Sequence, residues 1–165
     1  MAAKSSAIQK EIRQTKPFAT PEQEAIVGLL RTADVLRRHL SGVVEPRGLT
    51  VQQYNVLRIL REAGEAGLPT LGVADRMIER APGITRLMDR LEAKGLVRRL
   101  RCPRDRRQVL GYITPRALSL LARLDAVLKT ADTGAIRGLT RAQVQQLIRL
   151  LDAVRAGHAR SHSSH

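Results

Sequence analysis

The sequence predicts a mainly α-helical fold with one small β-hairpin. Three observations lead there. Apolar residues recur at three- and four-residue steps over most of the 165 residues, the spacing of amphipathic helices. A Thr-x-x-Gln pattern opens such runs at Thr20, Thr50 and Thr140, as a helix capping box does. Between Leu96 and Ile113 the period changes to two, as in a strand.

Residues 1–19 are polar and small and read as an N-terminal arm. Thr20 caps the first long helix and Pro21 suits its first position. This helix is expected over Pro21–Val44, with Ile26, Leu29, Leu30, Ala33, Leu36, Leu40 and Val43 on one stripe. "EPRG" breaks it. A second helix starts after Thr50, carries Tyr54, Leu57 and Leu60, and ends at Gly64 and Gly67. Thr70 is expected to cap a short helix reaching about Met77. After a brief turn, a longer helix is expected from about Ala81 to Gly95, with Ile84, Leu87, Met88 and Leu91 on one face. Two helices so joined are compatible with a helix-turn-helix. Leu96–Arg101 and Gln108–Ile113 then form the hairpin. Thr114 and Pro115 start a further helix, which "TADTG" is expected to interrupt. The last helix follows Thr140, and residues 157–165 read as a disordered tail.

Charge singles out one region. The chain carries 29 basic and 15 acidic residues, a net +14, and 24 of the basic residues are arginine. Arg80–Arg107 holds ten basic and three acidic residues, so half of the net charge lies there. Such a balance points to a polyanionic partner, and guanidinium groups match phosphates and guanine edges with paired bonds. One cysteine excludes an intrachain disulfide framework. No secretory signal is read at the N-terminus and no apolar run spans a membrane, so a cytoplasmic location is expected. No glycine-rich phosphate loop, metal-ligand cluster or paired acids stand out, so an enzyme is not expected and neither is a cofactor.

The stretches "ITRLMDRLEAKGLV" and "PRDRRQVLGYITPRA" resemble the recognition helix and wing of MarR-type winged helix-turn-helix transcription regulators. The Asp-x-Arg of Asp105 and Arg107 matches a signature of that family, and the resemblance spans roughly residues 22 to 155. It implies a winged helix-turn-helix DNA-binding lobe over residues 50–113. It also implies a dimerisation lobe from residues 20–45 and 114–156, both lobes lying in one domain over 20–156. The implied protein is a homodimer that binds a palindromic DNA operator, commonly as a repressor released by a small phenolic or carboxylic effector.

Carried over by residue, the resemblance places Pro82, Gly83, Thr85 and Arg86 at the groove-facing start of the recognition helix. Arg107 matches the arginine that enters the minor groove, and Asp105 the acid that holds it. Arg104 and Arg106 flank the tip as phosphate contacts. Here the helix opens Arg80-Ala81-Pro82-Gly83 rather than with Ser, Thr or Lys, so base reading rests on Thr85, Arg86 and Arg80. Arg86 and Arg90 lie four residues apart on one helix face. They either contact DNA or pair with acids such as Asp89 and Glu92.

A narrow minor groove attracts inserted arginine, and counterion release adds affinity at phosphates. The resemblance also implies an effector pocket with Leu36, Leu40, Tyr54, Arg58 and Tyr112 as candidate lining; ordinary core, and ordinary surface for Arg58, is the alternative. Cys102 lies beside Arg101 and Arg104 in the sequence. It reads as an incidental thiol, with a redox switch as the alternative. His158, His162 and His165 read as tail residues rather than metal ligands. The rival to a sequence-specific regulator is a less specific basic nucleic-acid binder, chromatin-like or RNA-associated. The operator, the effector and the direction of regulation are not legible in the sequence.

Overall fold

The computed structural model describes residues 6–102, 105 and 107–162. It contains helices α1 (Ala7–Glu11), α2 (Pro21–Val44), α3 (Val51–Ala63), α4 (Thr70–Asp75), α5 (Ile84–Ala93), α6 (Pro115–Ala135) and α7 (Arg141–His162). Strands β1 (Leu68–Pro69), β2 (Val97–Arg101) and β3 (Val109–Ile113) complete it. The chain forms two compact units, one through Val127 and the other from Leu128 onward.

The three Thr-x-x-Gln boxes are built as their chemistry requires. Thr50 and Gln53 exchange reciprocal bonds of 3.2 Å between side chain and backbone N–H. Thr140 and Gln143 do the same at 2.8 and 3.3 Å. At α2 the Thr20 hydroxyl accepts from the Gln23 N–H at 3.2 Å, while the Gln23 side chain accepts from the Ala19 N–H, one residue further back. Each box satisfies donors that a helix N-terminus leaves open.

The core of the first unit lies under α5 and the sheet. Val56, Leu57 and Leu60 of α3, Val73 of α4, Met88 and Leu91 of α5, Leu96, Val97, and Ala117, Leu121 and Leu124 of α6 are all buried. The sheet is antiparallel in the order β1-β3-β2. Gly111 sits at its centre, opposite Leu68 on one side and Arg99 on the other. A Cβ at Gly111 would lie 2.5 Å from the Met88 methyl, so glycine lets the sheet close on α5.

Several expectations are corrected. Thr70 is the first residue of α4, not its cap. The cap position is Pro69, held extended by pairing in β1, and α4 ends at Asp75 rather than near Met77. The longer helix begins at Ile84, not Ala81, because Gly83 has φ +88 and cannot continue a helix backwards. Pro82 and Gly83 therefore lie in the turn before α5 rather than in its first turn. The hairpin strands start one residue later than expected, and the two-residue β1 was not anticipated. "TADTG" does not interrupt α6: the Thr133 hydroxyl donates to the Lys129 carbonyl at 2.9 Å, and the helix runs to Ala135. Helix α7 continues to His162, into the segment expected to be a disordered tail, since nothing in "AGHARSH" breaks a helix except one glycine. Of the expected α2 stripe, Ile26, Leu29, Leu30 and Leu36 are exposed.

Gly67 gives the fold a sharp test. It has φ +63, and a Cβ there would approach the Tyr112 ring to 2.6 Å. Gly67→Ala is expected to destabilise the protein by roughly 1–3 kcal/mol in a denaturant titration. An unchanged midpoint would contradict the packing of Tyr112 over this turn.

Candidate nucleic-acid interface

Helix α5 is divided lengthwise. Ile84, Leu87, Met88 and Leu91 are buried, while Thr85, Arg86, Asp89 and Arg90 are exposed. Arg80, Pro82 and Gly83 are also exposed, in the turn that precedes the helix. The apolar face fixes the helix on α3, α4 and β2 and so presents the polar face outward.

A polar cluster centred on one residue joins the wing to this helix. Arg99, on β2, donates from its backbone N–H to Glu92 Oε1 at 3.0 Å and from Nε to Glu92 Oε2 at 2.8 Å. Its second terminal nitrogen lies 2.6 Å from Asp89 Oδ1 and 2.7 Å from Glu92 Oε2. The Arg99 side chain is 24% exposed, so these charge-assisted bonds are partly shielded from water. The hydrogen bond to Glu92 raises the Arg99 pKa further, and burial opposes it. Sequence reading passed over Arg99 as a site residue. The signal was present: strand alternation puts Arg99 on the same face as buried Val97, and an arginine on an inward face needs carboxylates.

This arrangement bears on one of the two alternatives for Arg86 and Arg90, their pairing with acids. Asp89 and Glu92 are engaged by Arg99, so they do not neutralise the helix arginines. Among the described residues, Arg86 and Arg90 form no ion pair; Arg90 Nε donates to the Arg86 carbonyl at 3.3 Å. The exposed edge of α5 thus keeps its positive charge.

At the wing turn, Asp105 acts on the backbone. Its Oδ1 accepts from the Arg107 N–H at 3.0 Å, and its Oδ2 accepts from Gln108 Nε2 at 3.1 Å. Its carbonyl accepts from the Gln108 N–H at 2.9 Å. The resemblance implied that this acid holds the Arg107 side chain. Instead it caps the turn, and so sets where Arg107 leaves the chain, with the Arg107 side chain exposed. The expected phosphate contacts Arg104 and Arg106 lie outside the described residues. Arg98 stands over the Tyr112 ring at 5.8 Å from its centroid, a cation–π distance. Cys102 is a free, half-buried thiol whose N–H donates to the Gln108 carbonyl at 2.9 Å.

Of the five residues expected to line an effector pocket, two border one cavity. Leu36 and Leu40 line a cavity of about 390 Å³ with Ala33, Val51, Met77 and Ile78. Arg37 and Glu79 also border it, paired at 2.6 Å. Tyr54, Arg58 and Tyr112 lie elsewhere. Tyr54 is half-buried on α3. Arg58 pairs with Glu62 at 3.0 Å and donates to Asn55 at 3.2 Å, and Tyr112 packs against Gly67 and Arg98. The segment Met77–Glu79 was missed because it closes the cavity through tertiary structure alone. Among the described residues, no helix is long and apolar enough to cross a membrane.

Residues 49–109 match the MarR family, the segment that runs from α3 to the start of β3. The chain is similar to a MarR transcription factor from Planctomyces limnophilus, with 37% identity, a TM-score of 0.62, and coverage of 83% of this chain and 99% of that one. It is also similar to Sco3205, a MarR family transcriptional regulator from Streptomyces coelicolor whose crystal structure is in complex with DNA. Identity there is 25%, the TM-score 0.75, and coverage 85% and 93%. The HTH-type transcriptional repressor IacR of Pseudomonas putida is 33% identical over 106 residues, which are 64% of this chain and 62% of the repressor. The match thus spans less than two thirds of that repressor's length.

The Arg99 clamp predicts coupling between strand and helix. A double-mutant cycle of Arg99→Met and Glu92→Gln is expected to give an interaction energy of about 0.5–1.5 kcal/mol in thermal or denaturant unfolding. Additive single effects would show that the wing is not held by this contact.

Proposed function

The chain belongs to the MarR family of transcription regulators, and on that premise we propose that it is a homodimeric, sequence-specific double-stranded DNA-binding repressor. The observation that carries this reading is the Arg99 clamp. It occupies the acids of α5 and leaves Arg86, Arg90 and Arg107 turned outward from one rigid unit of helix and wing. In this proposal α5 enters a major groove with Thr85 and Arg86 at base edges or phosphates. Arg80 reaches the backbone from the preceding turn, and Pro82 and Gly83 let that turn approach closely. The wing brings Arg107 to the adjacent minor groove, whose negative potential favours it. Arg104 and Arg106 add phosphate contacts and counterion release.

Homodimerisation is supported by apolar side chains left open on long helices: Ile26, Leu29 and Leu30 on α2, and Leu147, Ile148, Leu150 and Val154 on α7. Two copies place two recognition helices on a palindrome. Its proposed location is the cytoplasm, alongside its DNA.

Release by a small effector is part of the proposal, supported by the cavity beside Leu36 and Leu40. Its apolar walls suit an aromatic ring. Arg37 reaches across it to Glu79, five residues before α5 begins. A phenolic or carboxylic ligand that competes with Glu79 for Arg37 would free the segment leading into the recognition helix. Such a ligand lowers DNA affinity to the extent that it binds the non-binding arrangement more tightly.

Arg107→Ala is expected to weaken operator binding by ~1–3 kcal/mol in a fluorescence anisotropy titration, with an unchanged circular dichroism spectrum. Unchanged affinity would remove the wing from the interface. Equal affinity for random duplex or for RNA would favour the less specific nucleic-acid binder instead.

A further inference from the structure

We propose that a cleft lined by Arg47, Lys94, Arg116 and Arg123 is a second anion site, separate from the DNA-facing edge, that takes a small phosphate-bearing ligand. The cleft has a volume of about 500 Å³ and lies where the C-terminal end of α5 meets the turn after α2 and the first turns of α6. Leu96 and Leu120 supply its apolar wall. Arg116, Leu120 and Arg123 fall at i, i+4 and i+7 and so share one face of α6.

Four cations meet here, and no carboxylate lines the cleft among the described residues. Lys94 Nζ donates to the Gly48 carbonyl at 2.7 Å and to Gln53 Oε1 at 3.0 Å, and Arg47 donates to the Val43 carbonyl at 2.7 Å. All three acceptors are neutral, so they orient the cations without balancing their charge. The Arg116 and Arg123 side chains have no hydrogen-bond or ion-pair partner among the described residues. Arg116 also stands in the first turn of α6, which contains no acid, against the positive end of that helix. By contrast, Arg31, Arg37, Arg38, Arg58, Arg61 and Arg99 each face a carboxylate. An anion in the cleft would relieve the mutual repulsion that the fold leaves uncompensated.

Two features favour a small ligand over a DNA backbone. The residues proposed to read base edges, Thr85 and Arg86, lie in the first turn of α5, whereas Lys94 caps its far end, roughly 15 Å along a ten-residue helix. The site is also concave, with a volume in the range of small-molecule pockets. Guanidinium forks match phosphate oxygens in pairs.

The test uses the full chain and inorganic pyrophosphate, followed by calorimetry at constant ionic strength. The double variant Arg116→Gln/Arg123→Gln replaces two exposed side chains and is expected to weaken pyrophosphate binding by at least about tenfold. A charge-matched pair outside the cleft, Arg137→Gln/Arg141→Gln, should stay close to wild type, and both variants should keep wild-type operator affinity and melting behaviour. Absence of pyrophosphate binding by the wild-type chain, or equal losses in the two variants, overturns the proposal. Loss of operator affinity and of its salt dependence in the cleft variant alone also overturns it, assigning these arginines to the DNA surface. Because operator binding by the wild-type chain is measured alongside, failure of the cleft is distinguished from failure of the repressor reading.

Discussion

The ion-pair cluster of Arg99 with Asp89 and Glu92 is the constraint on which the candidate interface depends. The hairpin strands β2 and β3 pair with each other over five positions, and that pairing does not by itself fix the hairpin on the neighbouring helix. Charge-assisted bonds from one guanidinium to two carboxylates of the neighbouring helix provide that hold, and the Arg99 N–H adds a bond from the strand backbone. The same contact sets the charge of the surface. With their acids engaged from behind, Arg86 and Arg90 face outward as uncompensated cations. One interaction therefore fixes both the geometry and the electrostatics of the helix and wing.

The scaffold beneath supports this arrangement from both ends of α5. Gly83 sets where the helix starts, and the turn after it is fastened to α6, since the Thr114 hydroxyl donates to the Gly95 carbonyl at 2.9 Å and accepts from the Ala117 N–H at 3.2 Å. Lys94 reaches the Gly48 carbonyl and Gln53, tying the same end to the start of α3. Met88 lies beneath Gly111 at the centre of the sheet. A displacement of α2 or of the segment from Met77 to Glu79 would thus reach the recognition helix through packed side chains rather than through a flexible tether.

How far this was legible in the sequence depended on the range of each interaction. Helix starts at Thr20, Thr50 and Thr140 were readable because a capping box involves residues three apart. The buried face of α5 and the hairpin followed from periodicity. The start of α5 did not, because a positive φ at Gly83 is one option among several that glycine allows. Strand β1 was illegible because two residues carry no period and their pairing is tertiary. Asp105 was expected to hold Arg107, and its bond goes to the Arg107 backbone N–H, a local turn bond, rather than to the guanidinium. Arg99 escaped notice because its partners sit seven and ten residues away on another element. The cavity was half anticipated, through Leu36 and Leu40. Its other wall comes from an irregular segment with no pattern to read.

In the function proposed above, helix and wing form one preset, sequence-reading surface repeated by two-fold symmetry. Selection of bound sequences from a random duplex pool, at physiological ionic strength, tests it most directly. The account predicts enrichment of a palindrome whose half-sites lie about one helical turn apart. Recovery of no common sequence, with equal retention of unrelated duplex, would contradict it.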